Sequence, residues 1–172
     1  SQFLQQLAGA LVVRQRDGDN TRQPQRAESV RQHGPRSLQC VALAAVRGQK
    51  GKADVQHHAG NAADTANGVK QLKTWLGSEK WDLIHVNFGL HDIKLPTGTQ
   101  QVLIADYEKN LRAIVKELQA TGSTIVWCST TPVPDAKLNP GRKNEDVIAY
   151  NAVAKKIMEE NKIPIDDLYK FA

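Results

Sequence analysis

Two short polar segments of the sequence carry the residue types that could do chemistry. Residues 89–92 read Gly-Leu-His-Asp after an apolar run, and residues 61–65 read Asn-Ala-Ala-Asp-Thr before a helical pattern. Imidazole, carboxamide and carboxylate groups can all exchange hydrogen bonds with a ligand. In α/β proteins ligands bind at the carboxyl ends of parallel strands, where loops converge and helix amino termini point into the same crevice. The two segments therefore form the candidate site.

Each of these side chains also has an ordinary structural explanation. Asn61 and Asp64 stand near the start of a predicted helix, whose first turn leaves backbone amides free for a capping side chain. His91 could be a histidine whose hydrogen bonds are satisfied within a turn. The residue types alone leave both explanations open.

The elements that must position this site alternate between strand and helix from Lys52 onward. The predicted strands are 53–57, 81–88, 123–130 and 163–165, and the predicted helices are 65–76, 103–120 and 146–161. The run at 81–88 is apolar enough for a buried parallel strand, and 103–120 places its apolar residues at a spacing of 3.6. This alternation predicts an α/β domain with a parallel sheet covered by helices.

The amino-terminal quarter of the chain differs from the rest in composition. Residues 1–50 hold eight basic and three acidic residues, which accounts for the whole net charge of +5. Between Arg14 and Arg36 arginine and glutamine dominate, and neither a strand nor a helix period is present. We therefore divide the chain into a poorly defined basic segment, 1–45, and an α/β domain, 46–172. A flexible tail and a disturbed reading frame would both explain the first segment.

The histidines and cysteines predict no metal site. Cys40 and Cys128 are too few for a disulfide framework and lack the spacing of zinc ligands, so we expect two buried thiols. His57 and His58 are adjacent on a predicted strand and would point to opposite faces. His85 lies within a strand and is assigned to the core or to an interface. We accordingly predict no metal and no cofactor.

Four segments resemble the SGNH hydrolases, also called the GDSL superfamily. They are 81–94 (WDLIHVNFGLHDIK), 107–118 (YEKNLRAIVKEL), 123–134 (STIVWCSTTPVP) and 146–172 (DVIAYNAVAKKIMEENKIPIDDLYKFA). The resemblance is to a branch whose third block reads Gly-x-His-Asp rather than Gly-x-Asn-Asp, and it covers residues 46–172. It implies a flavodoxin-like three-layer αβα sandwich, truncated here, and a secreted or periplasmic location.

The resemblance also implies an activity and a set of site residues. Such enzymes hydrolyse esters with a serine in a Gly-Asp-Ser block, an oxyanion hole, and an aspartate and histidine near the carboxyl terminus. It assigns the oxyanion donors to the backbone amide of Ala63 and the side chain of His91, where the family usually has glycine and asparagine. Asn61 would line the pocket, and Asp92 would brace the turn and orient His91. Small acyl or acetyl esters, carbohydrate esters among them, are the implied substrates.

The nucleophile and the triad histidine are where the sequence departs from this pattern. At the place of the Gly-Asp-Ser block, residues 34–40 read Gly-Pro-Arg-Ser-Leu-Gln-Cys, which leaves Ser37 as the candidate nucleophile. No Asp-x-x-His follows the last predicted strand. Because the residues of a triad act as a unit, we expect the chain as given to be inactive or nearly so.

Three functions from different classes follow from these observations. The first is a serine esterase acting on a small-molecule ester, and the second is a non-catalytic remnant or binding module with the same fold. The third, nucleic-acid binding through the basic segment, would rest on unspecific phosphate contacts that weaken steeply with salt. We rank it last and expect neither a specific nucleic-acid partner nor a membrane partner, whereas the oligomeric state stays open.

Overall fold

The computed structural model describes residues 9–15, 53–57, 61–134 and 137–172. Its strands are β1 (Gly9–Gln15), β2 (Ala53–His57), β3 (Leu83–Asn87), β4 (Thr124–Cys128) and β5 (Ile165–Asp166). Its helices are α1 (Thr65–Leu76), α2 (Ile104–Ala120), α3 (Asn144–Glu160) and α4 (Leu168–Phe171). The predicted elements are confirmed, and most of their ends agree within two residues. None of the helices in the described ranges is long and apolar enough to cross a membrane.

The five strands form one sheet in the order β2-β1-β3-β4-β5. The pairs β3–β4 and β4–β5 are parallel, with Ile84 opposite Ile125 and Trp127 opposite Ile165. This confirms an α/β fold with a parallel sheet, and the strand order is the flavodoxin-like one. The carboxyl ends of these strands therefore share one edge of the sheet.

Strand β1 runs antiparallel to both of its neighbours, β2 and β3. The sheet is therefore not parallel throughout. The residues of β1 come from the amino-terminal segment 1–45. Either direction completes the backbone hydrogen bonds of the flanking strands, so a reversed strand can occupy a central place in the sheet. Since β1 is antiparallel to both, β2 and β3 run in the same direction, and the chain leaves both of them at the same edge.

Helices α1, α2 and α3 pack together against one face of the sheet. Ile84 and Val86 of β3 and Trp127 of β4 are buried on that face, while His85 and Val126 alternate with them and are only half-buried. Consecutive right-handed crossovers that advance in one direction across a sheet place their helices on the same side. The rings of Tyr107 in α2 and Tyr150 in α3 lie 4.8 Å apart, which joins two of the helices.

Gly68 sets the closest approach of α1 to the core. A Cβ at this position would lie 2.7 Å from the Phe88 ring and 3.0 Å from Ile114 Cδ1. Both neighbours are fully buried, so neither can swing aside into solvent. A glycine in a helix interior costs helix propensity, and here the cost is offset by close packing.

We expect Gly68→Ala to destabilise the fold by about 1–3 kcal/mol because it overpacks this contact. Gln71 is an exposed position of the same helix, and there an alanine variant should be more stable than a glycine variant by about 0.8–1.0 kcal/mol. Urea unfolding of the wild type and Gly68→Ala, and of Gln71→Ala and Gln71→Gly, measures the two differences in stability. An increase in stability on Gly68→Ala would show that α1 is not held at this distance.

Candidate active site

The loop after β3 is shaped by close backbone contact with the end of β4. Gly89 has a φ of 140°, and a Cβ there would lie 2.5 Å from Thr130 Oγ1. Only glycine fits this conformation and this separation. Ile93 N then donates to Gly89 O over 3.1 Å, closing a turn that presents His91 and Asp92 at the edge of the sheet.

The loops that hold Asn61 and His91 meet at this edge. Asn61 Nδ2 lies 3.1 Å from His91 Nε2, although thirty residues separate the two in sequence. His91 is buried, whereas Asn61 is exposed, so their contact lies at the boundary with solvent. The two segments singled out in the sequence are therefore neighbours in space.

Lys94 determines which nitrogen of the His91 ring carries the proton. Its ammonium group lies 2.7 Å from His91 Nδ1, and an ammonium can only donate. Nδ1 therefore accepts, and the proton of the neutral ring is on Nε2. Burial, assisted by the charges of Lys94 and Arg142, lowers the pKa of His91 to about 4, so the ring is neutral at physiological pH.

Asn61 and His91 consequently face each other as two hydrogen-bond donors. The Asn61 carboxamide is fixed in this orientation because its Oδ1 accepts from Ala63 N over 2.8 Å. With protons on both nitrogens, 3.1 Å apart, an oxygen carrying negative charge that lies beside the pair is the partner that satisfies both. This pair can bind an anion without a permanent positive charge of its own.

Ala63, the amide that the resemblance assigns to the oxyanion hole, has a strained backbone and an amide that is already hydrogen-bonded. Its φ is 58°, in the left-handed region that glycine adopts freely and alanine adopts at a cost of about 1–2 kcal/mol. Its amide is occupied by the Asn61 side chain. For Ala63 N to donate to a ligand, that hydrogen bond would have to be exchanged.

Asp92 joins the two loops through Thr65, the first residue of α1. Its Oδ1 accepts from Thr65 N over 2.9 Å and from Thr65 Oγ1 over 2.5 Å, whereas Oδ2 has no hydrogen-bond partner within the described ranges. Burial raises the pKa of Asp92 to about 7 against the opposing effect of these hydrogen bonds. The side-chain hydrogen bonds of Asp92 therefore join the turn to the first residue of α1.

The cap of α1 is Asp64, as the structural explanation proposes, and Asn61 has another partner. Asp64 Oδ1 accepts from Asn67 N over 2.9 Å, and Oδ2 accepts from Gln101.

Lys94 and Arg142 are site residues that the sequence did not single out. Arg142 donates from Nε to Leu90 O over 2.9 Å and arrives from a distant loop. The candidate nucleophile, Ser37, lies outside the described residues.

We expect Lys94→Met to raise the pKa of His91 and to release the preference for Nε2–H, because both the neighbouring charge and the donor to Nδ1 are removed. The ¹⁵N chemical shifts of the His91 ring report the pKa and the tautomer directly. Lys116→Met, at an exposed position of α2, is the control and should leave both unchanged. A wild-type ring protonated on Nδ1 would contradict the assignment.

Asp92 should make stability depend on pH. The folded protein keeps the carboxyl proton up to about pH 7, whereas the ordinary pKa of an unburied aspartate is 3.8. The stability that the raised pKa of Asp92 contributes is therefore fully present below about pH 3.8 and is lost as pH rises to 7. The contribution of His91 has the opposite sign, since it is present above 6.5 and is lost as pH falls toward 4.

Comparison with Asp92→Asn separates these two effects, because His91 is common to both proteins. From pH 4 to 7.5 the stability of the variant relative to the wild type should increase by up to about 4 kcal/mol, at about 1.4 kcal/mol per pKa unit. Urea unfolding at several pH values measures it. Asp106→Asn, an exposed position on α2, should not reproduce the slope. A difference independent of pH would show that folding leaves the pKa of Asp92 unshifted.

Several solved structures share this fold. An acetyl xylan esterase superposes with a TM-score of 0.56 at 17% identity, covering 64% of this chain and 57% of its own. A lipase/acylhydrolase from Enterococcus faecalis gives 0.54 at 24% identity, covering 64% and 53%. An acetylxylan esterase from Geobacillus stearothermophilus gives 0.53 at 18%, covering 64% and 54%. The chain spans about half the length of these proteins.

A comparison with the curated proteins gives no significant match. The model of the GDSL-like lipase/acylhydrolase family matches residues 12–172, which is nearly the whole chain. The match includes residues 12–15 of β1, the strands β2 to β5, the His91 turn and the Asn61 loop. The chain belongs to the GDSL-like lipase/acylhydrolase family.

Proposed function

We propose that this fold serves a serine esterase that hydrolyses small acyl or acetyl esters. The observation that carries the proposal is the pair of donors at Asn61 Nδ2 and His91 Nε2, 3.1 Å apart at the carboxyl edge of the sheet. Attack on an ester carbonyl places negative charge on the carbonyl oxygen. Donors that are already oriented stabilise that charge without having to reorganise during the reaction.

The electrostatics around the pair suit this role. A neutral His91 keeps the Nε2 proton and offers it as a donor, and the positive charges of Lys94 and Arg142 act on it against the opposing charge of Asp64. Burial of His91 lowers the local dielectric, so a hydrogen bond to an oxyanion is stronger there than in water. These properties favour an anionic intermediate over the neutral ester from which it forms.

Acetylated carbohydrate is the substrate class that we favour among small esters. Two of the similar structures are acetyl xylan esterases, and family membership supports ester hydrolysis in general. Ser37 is the proposed nucleophile. Because no Asp-x-x-His follows β5 within the 172 residues, we propose that these residues alone have little or no turnover.

A tetrahedral anion should bind to this site more tightly than a planar one. Methylphosphonate resembles the tetrahedral intermediate, and acetate does not. Asn61→Ala should weaken methylphosphonate binding about tenfold or more, because hydrogen bonds to charged groups contribute about 1.5–3 kcal/mol. The chemical shift of His91 Nε2 follows the titration. Gln119→Ala removes an exposed carboxamide of α2 as the control.

Equal affinity for the two anions, or methylphosphonate binding that is unchanged in Asn61→Ala, would contradict an oxyanion site. Such a result would favour the alternative of a non-catalytic module with the same fold. Selective binding that depends on Asn61 supports the esterase.

Turnover of p-nitrophenyl acetate by the 172-residue chain should not exceed the rate measured without protein. Ser37→Ala should leave that rate unchanged, and a fluorophosphonate probe should not label the chain, because a serine without its histidine is a weak nucleophile. Turnover that disappears in Ser37→Ala would refute the proposed inactivity while supporting the nucleophile.

A further inference from the structure

A second cluster of reactive side chains lies on the face of the sheet opposite the helices. His85 of β3, Cys128 of β4 and Asp166 of β5 come from three adjacent parallel strands. His85 is opposite Val126, two residues before Cys128, and Cys128 is directly opposite Asp166. Because side chains alternate along a strand, all three point to one face, which is not the face of Ile84 and Trp127.

The three side chains converge on one point. Cys128 Sγ lies 2.7 Å from His85 Nε2, and Asp166 Oδ2 lies 3.4 Å from the same nitrogen. The three ligand atoms are all within 4.8 Å of one another. The thiol is buried, while the side chains of His85 and Asp166 are 34% and 49% exposed, so the cluster is open to solvent on one side.

This arrangement differs from a nucleophilic thiol activated by a histidine. In such a relay the thiol and the carboxylate contact different nitrogens of the imidazole ring. Here both are closest to Nε2, and burial of the Cys128 thiol raises its pKa rather than lowering it. A convergent set of nitrogen, sulfur and oxygen atoms is instead the arrangement of metal ligands.

We propose that His85, Cys128 and Asp166 bind Zn²⁺. Tetrahedral zinc with metal–ligand distances of about 2.0–2.2 Å separates its nitrogen and oxygen ligands by about 3.4 Å, which is the separation of His85 Nε2 and Asp166 Oδ2. A zinc-bound thiolate would lie about 3.5 Å from the nitrogen. The contact of Cys128 with His85 must therefore widen by about 0.8 Å, which rotation of the half-buried imidazole permits.

The ligand types select zinc among the common divalent ions. Thiolate and imidazole favour Zn²⁺, whereas Mg²⁺ and Ca²⁺ prefer oxygen ligands alone. Binding transfers the proton of the Cys128 thiol to solvent as the sulfur–zinc bond forms. Three protein ligands leave a fourth position for water on the solvent side. The metal would join β3, β4 and β5 and stabilise the folded protein.

Cobalt is the probe for this site, because a thiolate bound to Co²⁺ gives a charge-transfer absorption in the near ultraviolet. The metal-free 172-residue chain should develop this band with one equivalent of Co²⁺ and lose it on addition of Zn²⁺. Cys128→Ser should abolish the band, and Cys40→Ser, the other cysteine of the chain, should retain it. Far-ultraviolet circular dichroism establishes that each variant is folded.

Asp166→Asn replaces an exposed ligand and provides a second test that does not disturb the core. It should lower the affinity for Zn²⁺ by at least about tenfold, since even loss of an outer-shell partner commonly costs about 10–100-fold. Zinc should raise the melting temperature of the wild type, and His85→Gln should lose that increase.

No charge-transfer band, or a band that persists in Cys128→Ser, would overturn the site. An unchanged Zn²⁺ affinity in Asp166→Asn would overturn the proposed carboxylate ligand. None of these measurements uses ester hydrolysis, so they are independent of the proposed function.

Discussion

The hydrogen bonds between Asp92 and Thr65 are the constraint on which the candidate site depends. One carboxyl oxygen of Asp92, on the turn after β3, accepts hydrogen bonds from both the backbone amide and the hydroxyl of Thr65, the first residue of α1. The Asn61 loop leads directly into that helix, so the two bonds fix its position relative to His91. This deeply buried carboxyl group joins two separate loops, and its burial favours the protonated form.

The same burial gives the site its chemistry. His91 is neutral because it is desolvated and lies beside positive charges, and Lys94 assigns its proton to Nε2. In the proposed reaction the ester is neutral and its tetrahedral intermediate is anionic, so a donor held in place favours the state in which charge develops. The Asn61 side chain folds back onto the amide of Ala63, and the backbone of Ala63 itself is left-handed.

The sequence predicts the elements well and the partners of the site residues less well. The helix at 65–76 is predictable because its apolar spacing, its Asp64 cap and its terminal Gly77 all agree. Strand β1 is not among the predicted strands, and its direction could not be predicted either, because the residues of a strand do not specify which strands it pairs with. Lys94 lies only three residues from His91 but has the appearance of a surface lysine. The contact of Arg142 with Leu90 spans fifty-two residues and has no local signal.

The cluster at His85 shows that a parallel sheet brings together residues that are far apart in sequence, which motifs based on ligand spacing do not detect. Zinc motifs are recognised by ligands that lie close together along the chain, but here each ligand belongs to a different strand. Ile84 and Val86 of β3 face the helices, His85 faces the opposite side, and the end of β3 leads into the His91 turn. One strand thus contributes to the core, to the proposed zinc site and to the proposed oxyanion site. Since a metal joining β3 to β4 and β5 would restrain the base of that turn, the two sites would be mechanically coupled through β3.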